Sequence, residues 1–427
     1  MRLLFLATVV KEHHEATVGV DLANQLHVAG VQSHFVIDSY NEQQVAAAGH
    51  PATVVSPAMD DDIRDVLRRV VGKFRPDAIV LSDYVAHWVA FTYAYRTDPW
   101  CVEEFGLPII PMDLYELANT DFDLEILGRT VRADDRILSM PAHLRPVPVA
   151  RPEPGPGPGD DRALPYRLSR TIGPASAAER KRIRGPLGLS DDERLLVVPT
   201  MDWQQLISAK GDRITRELGS RVPELIAGYL GQLPERTRFL LLGPDWEAFR
   251  RLPPERTHLV PSYTPAEHDD WVRAADGVMA FHLPSPALER SVFADVPGLY
   301  AVNGIEVERG AGRAVLTDAL GGVSPRVAAW LDAFPLTLPE FHLWPLRWNS
   351  IYRPLYDGNP FAEAVAHAEI LDEPSVVGRL EELLYDGAAR DRLAAARDGY
   401  RRQIDALPDT VEVFAEAARR SGLKGPS

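Results

Sequence analysis

Cysteine is nearly absent: Cys101 is the single one among 427 residues. One thiol forms no internal disulfide and no CxxC metal site, and the scarcity fits a reducing, cytoplasmic setting. Lysine is scarce too. Only Lys11, Lys73, Lys181, Lys210 and Lys424 occur among 46 basic residues, so the rest are arginine. With abundant Ala, Pro and Gly, this composition points to a GC-rich, bacterial genome. Positive charge is in deficit, with 46 basic against 61 acidic residues and a net charge of −15. That balance disfavours a general nucleic-acid surface. Long apolar runs are missing, and nothing approaches the roughly 20 residues that cross a bilayer. The opening MRLLFLATVV runs straight into KEHHE without a small-residue cleavage site. It therefore reads as a first strand rather than a secretory leader. There is no GxSxG, no P-loop and no HExxH. GxGxxG is also absent after the first strand, where the loop reads VVKEHHE, which disfavours a dinucleotide redox cofactor. No repeat of 20–50 residues is found.

What is present fits a globular enzyme-sized chain, 45% hydrophobic and 25% charged. Its length predicts two domains of roughly 150–200 residues each. In the first, Leu3–Val10, Ser33–Asp38, Thr53–Ser56, Asp77–Leu81, Pro108–Pro111 and Arg136–Ser139 read as strands. Helices are expected over Val18–Ala29, stopped by Gly30, and from Asp60–Asp62 to about Phe74. Arg145–Pro165 (RPVPVARPEPGPGPGDDRALP) has a Pro/Gly density that argues for a linker or surface excursion. Beyond it, strands are expected at Leu195–Pro199, Arg238–Leu242, His258–Val260, Gly277–Phe281 and Leu299–Val302. Pro374–Arg420 reads as helical. Strands alternating with helices define an α/β class with parallel sheets. The expected domains are 1–165, ending in the Pro/Gly-rich linker, and 166–400. A last helix in 401–427 is expected to pack back toward the first domain.

Ligands of such sheets sit beyond the carboxyl ends of the strands, which selects the candidate residues. Thr257–Asn303 reads as three buried strands separated by helices, and it brings His282, Leu283, Pro284 and Ser285 to a site mouth. Ser285 and Pro286 start a helix whose free N–H groups favour a diphosphate. Glu289, one turn on, is suited to a ribose diol, against the plainer reading of a cap and a solvent-facing acid. Thr200, Met201, Asp202 and Trp203 follow the first strand of the second half, and Gly243–Trp246 the second. A hydroxyl there suits a phosphate and a Trp suits a base, unless the Trp closes the core. His13 and His14, with Glu15, follow the first strand, where a catalytic base belongs. The alternative is a surface pair in a polar loop. Asp83, Tyr84, Asp113, Tyr115 and Glu116 end strands, although Asp at such positions often caps the next helix. Phe341–Pro354 (FHLWPLRWNSIYRP) offers His342, Arg347 and Asn349 to a polar substrate, or packs a long connection.

Together these features resemble the GT-B glycosyltransferases, nucleotide-sugar enzymes built of two Rossmann-like domains. MRLLFLATVVKEHHEATVGVDLANQLHVAG resembles the family's opening strand, loop and helix, with His14 where the catalytic His falls, 16 residues before Gly30. RPDAIVLSD, Arg75–Asp83, resembles the family's PD-hydrophobic-D strand. His282, Leu283-Pro284, Glu289 and Asp295-Val296-Pro297 resemble its donor turn, although no glycines follow His282 and Asp295 replaces a Gly. The resemblance implies two parallel sheets facing across a cleft. It implies inverting transfer to a natural product or nucleoside, with His14 or His13 as base and Asp113 or Asp83 assisting. Thr200, Trp203, His282, Ser285 and Glu289 would hold the donor. Glu15, Asp83, Tyr115, Glu116, His342, Arg347 and Asn349 would line the acceptor. No metal or further cofactor is expected, since a helix dipole and hydrogen bonds offset the leaving charge. Neither nucleic acid nor membrane is expected as a partner. Two alternatives stand beside this. One is a GT-B-like sugar-nucleotide epimerase or non-glycosidic coupling enzyme; the other is a non-catalytic binding protein.

Overall fold

The computed structural model describes the chain except residues 11–12, 60–61, 127–128, 149, 154–159, 169–171, 201–208, 210, 282–284, 309, 335, 339–350, 352–354, 356–357 and 424–427. It divides into two compact units. Unit 1 comprises Met1–Phe122, Arg132–Ser169 and Arg402–Ser427; unit 2 comprises Asp123–Val131 and Arg170–Arg401.

Unit 1 carries a five-stranded sheet of β1 (Arg2–Ala7), β2 (Gln32–Asp38), β3 (Ala52–Val55), β4 (Ala78–Leu81) and β5 (Ile109–Pro111), in the order β3-β2-β1-β4-β5. Every pairing is parallel. Central β1 is a run of apolar side chains because both faces are covered, and Leu3 to Ala7 are fully buried. Helix His14–His27 lies against it, with Val18, Leu22, Ala23 and Leu26 on the inner face. Gly19 is where that helix comes closest to β4: a Cβ there would stand 2.5 Å from Ser82 Oγ.

Two sequence expectations fail here. Arg136–Ser139 is a 3-10 turn, not a strand. Its Ile137 N–H donates to the Tyr84 hydroxyl, so the backbone needs no ladder partner. The Pro/Gly-rich stretch is not simply a linker. Its ends belong to a parallel pair, β8 (His143–Val147) and β9 (Ala163–Arg167), with β6 (Asp123–Ile126) and β7 (Arg129–Arg132) forming a separate pair before it. A pair of only two strands leaves edges on which Pro146 and Pro165 are tolerated. The helix Thr410–Arg420 packs against β8, β9 and the first helix.

Unit 2 carries a six-stranded, wholly parallel sheet of β10 (Arg194–Pro199), β11 (Thr237–Leu242), β12 (Thr257–Val260), β13 (Gly277–Ala280), β14 (Gly298–Val302) and β15 (Ala366–Glu369). The order is β12-β11-β10-β13-β14-β15, so the crossover direction reverses between β10 and β13. β12 is an edge strand with half-exposed residues rather than a buried one. β15 is unforeseen in the sequence: AHAE is too short and polar to show a period. Among the described residues, no helix is long and apolar enough to cross a membrane.

Candidate functional site

Both sheets have a switch point, between β1 and β4 in unit 1 and between β10 and β13 in unit 2. The crevice beyond such strand ends is where α/β sheets take ligands.

In unit 1, His13 and His14 stand just after β1. His14 is the first residue of its helix and is half-buried. The His13 ring stacks on Tyr40 at 4.2 Å and its Nδ1 lies 2.9 Å from Asn41 Oδ1, so its orientation is set by the segment after β2. Glu15 is fully buried and accepts from the Val9 N–H at 2.9 Å, closing the loop from inside. Beside β1, Asp83 follows β4 and caps the helix Tyr84–Val89 by accepting from Ala86 N–H. The Tyr115 hydroxyl donates to its other oxygen at 3.0 Å. Burial, with the neighbouring Asp113 charge a minor contributor, pushes the Asp83 carboxyl up to about 6.

Asp113 ends a different circuit. It is fully buried and accepts from the Tyr115 and Leu117 N–H groups and from Arg145. Arg145, also fully buried, pairs on its other side with Asp160. Burial would pull this guanidinium down, but the two carboxylates hold it above its ordinary value. Glu116, with a left-handed φ of 55°, binds the Arg151 backbone N–H at 2.6 Å and its Nε at 2.7 Å. His143, buried 3.6 Å from Asp113, is pushed down by desolvation. His143, Arg145, Arg151 and Asp160 were missed in the sequence. Their one signal is a charge between apolar neighbours, as in HLRPV, within a stretch whose prolines suggested no order.

In unit 2, Ser285 and Glu289 come together. Ser285 is fully buried and caps the helix Pro286–Phe293, its Oγ accepting from Leu288 N–H. Glu289 follows one turn later, itself 3% exposed, and its Oε1 has no hydrogen-bond partner among the described residues. Burial pushes this acid up to about 8, against a weak pull down from Arg290. Thr200, at the end of β10, donates its hydroxyl to Leu242 C=O at 2.9 Å. Gly243 lies against it with φ +109°, and a Cβ there would fall 2.3 Å from the Thr200 carbonyl oxygen. Asp295 adopts φ 56°, in the left-handed region that favours glycine. Buried Arg397 binds its carboxylate at 2.9 Å and 3.1 Å. A further acid, Glu369 at the end of β15, is pushed up to about 7 by burial and accepts from Gly304 and Leu371 N–H. Trp203, His282, His342, Arg347 and Asn349 lie outside the described residues. Among the described residues, no group of three or more His, Cys, Asp or Glu is arranged to hold a metal.

Two Rossmann-like units, with sheet orders 3-2-1-4-5 and 3-2-1-4-5-6 when counted within each unit, define a GT-B fold. Solved structures agree along nearly the whole chain. The glycosyltransferase VinC in complex with dTDP is 16% identical with a TM-score of 0.54, covering 99% of this chain and 100% of its own. HepE from Anabaena, in complex with UDP-glucose, is 11% identical with a TM-score of 0.55, covering 98% of each chain. The putative UDP-N-acetylglucosamine 2-epimerase from Listeria monocytogenes is 10% identical with a TM-score of 0.59, covering 100% of this chain and 98% of its own. Within that fold, the chain belongs to the family of unknown function DUF6365, whose model matches residues 22–422. No curated protein matches it.

Proposed function

We propose that this chain transfers a sugar from a nucleoside diphosphate sugar to a hydroxyl of a small-molecule acceptor, a natural product or nucleoside, with inversion. The observation that carries it is Glu289: a buried acid, unpartnered at Oε1, one turn into a Ser-capped helix beside the unit 2 switch point. Leaving a buried carboxyl oxygen unbonded is costly, and a ligand hydroxyl would satisfy it. In this reading the diphosphate lies at the positive end of the helix Pro286–Phe293, whose Leu288 N–H is already taken by the Ser285 cap, and Glu289 takes the ribose diol.

His14 is assigned the base because it opens the helix that follows β1 and is half-buried beyond that strand's carboxyl end. His14 removes the acceptor O–H proton, and the oxygen attacks the anomeric carbon. The bond to the phosphate oxygen breaks, and the diphosphate leaves with the electron pair. The helix dipole stabilises that charge where it develops. Asp83 is assigned the assisting carboxylate in preference to Asp113: the charge of Asp113 is held by the buried Arg145 guanidinium, whereas Asp83 accepts from uncharged donors, the Ala86 N–H and the Tyr115 hydroxyl.

Calorimetry across uridine and thymidine diphosphate sugars tests the donor assignment. At least one should bind saturably, and Glu289→Gln should weaken it; silence across the panel would sink the assignment. His14→Ala should lower turnover by about 10²–10⁴-fold while leaving donor affinity intact.

The likeness to the putative epimerase favours a second reading, in which the reaction is confined to the donor sugar. Product analysis separates the two. An altered nucleotide sugar formed without acceptor supports epimerisation, whereas free diphosphate appearing only with acceptor supports transfer.

A further inference from the structure

At the amino ends of β10 and β13, opposite the switch-point crevice, four arginines surround one acid. Asp276 is buried and accepts from Arg180 at 2.9 Å, from Arg184 at 2.7 Å and from the Leu195 N–H at 2.8 Å, with Arg194 at 3.5 Å. Those contacts satisfy the carboxylate. Arg184 is itself fully engaged, donating also to the carbonyls of Ala274 and Glu193. Arg180 donates also to the Ala275 carbonyl at 2.9 Å, whereas among the described residues the Arg194 side chain has only its long contact with Asp276.

Arg390 adds a fourth positive charge. Burial pulls its guanidinium below the ordinary value; Asp276 and, more weakly, Asp295 draw it up, and the nearby Arg194 and Arg180 charges pull it down. Its hydrogen bonds are two long ones, 3.4 Å each, to the Leu383 and Leu384 carbonyls. It also sits in the first turn of the 19-residue helix Gly387–Asp405, where the dipole disfavours a cation. Nearby acids are committed elsewhere: Glu193 to Arg238 and Asp295 to Arg397. The side chains of Arg180 and Arg194 remain 31% and 39% exposed, so the positive side of the cluster is reachable from solvent.

Like charges held together at a partly desolvated position are unfavourable unless something offsets them. A chain of net charge −15 has no general surplus of positive charge to place there. We propose that Arg180, Arg194 and Arg390 form a binding site for a small phosphate-bearing anion, distinct from the nucleotide-sugar site. The planar guanidinium fork matches tetrahedral oxyanions, and two such forks sharing one Asp276 oxygen, with the Arg390 charge nearby, favour a dianion over chloride.

The test is calorimetry and thermal melting of the full chain with inorganic phosphate, against sodium chloride at matched ionic strength. Glycerol 3-phosphate serves as a phosphomonoester arm. Phosphate should bind saturably and raise Tm. The double variant Arg194→Gln/Arg390→Gln should bind at least about tenfold more weakly. It keeps Arg180 and Arg184 on Asp276, so without phosphate it should melt no lower than the parent. If it does melt lower, Arg390→Gln alone serves for the binding measurement. Binding of the ester as well assigns the site to a phosphorylated metabolite; binding of phosphate alone assigns it to the free ion. Phosphate acting no differently from chloride, or equal affinity in the variants, would overturn the site.

Discussion

Glu289 shows how one side chain ties stability to function. Its carboxyl is raised from an ordinary 4.5 to about 8 by burial. Between those values the folded protein holds a proton that the unfolded chain has lost. Stability therefore falls as pH rises from about 4.5 to about 8, and is flat beyond. Glu289→Gln removes that loss. The variant should melt higher than the parent at pH 8, by roughly 2–4 °C for each kcal/mol recovered, with little difference near pH 4. Gaining stability while losing donor affinity is the mark of a ligand-binding acid; a merely structural acid would lose stability instead. Arg145 makes the opposite case. Arg145→Met leaves Asp113 and Asp160 buried without their cation, and urea unfolding should show a loss of about 3–5 kcal/mol. Ser285 and Glu289 were legible because helix-capping chemistry acts over a few residues. Arg145 and Asp160 were not, because they meet through the β8–β9 pairing, which no local period announces.

At the scale of elements, strands such as β1, β4, β10, β11, β13 and β14 were readable because burial on both faces writes them as apolar runs, whereas β15 and the β8–β9 pair were not. The helix His14–His27 depends on something the period does not show, its close approach to β4 at Gly19. Gly19→Ala should cost about 1–3 kcal/mol, since the added methyl meets Ser82 Oγ at 2.5 Å. In the Gly19→Ala/Ser82→Ala double variant the nearest contact relaxes to the Cβ of residue 82 at 3.1 Å, so the penalty should shrink. Denaturant melts of the four proteins in the cycle measure that coupling. Prolines misled the reading of Arg145–Pro165. A proline rules out a central ladder position, but Pro146 and Pro165 lie in a two-stranded sheet, where each strand is an edge.

For the molecule as a whole, the units are not two halves of the chain. Unit 1 takes its last part from Arg402–Ser427, whose helix Thr410–Arg420 buries Val413, Phe414, Ala417 and Ala418. A chain ending at residue 401 should therefore lose stability in unit 1, although every strand of its sheet is retained. Amide exchange should show it as faster exchange in β8, β9 and the first helix. The two-domain plan was legible from length and alternation, and a last helix packing back toward the first domain was expected, but the elements it covers, β8, β9 and the first helix, were not, because helix-forming residues do not say which surface they cover. The return also sets an order of events during synthesis. Roughly 230 residues separate Ser169 from Arg402. At about 5–20 residues per second the ribosome needs roughly 10–50 s to cross that gap. For that interval the first-made unit waits with an apolar face open, while the second-made unit has its whole sequence available first.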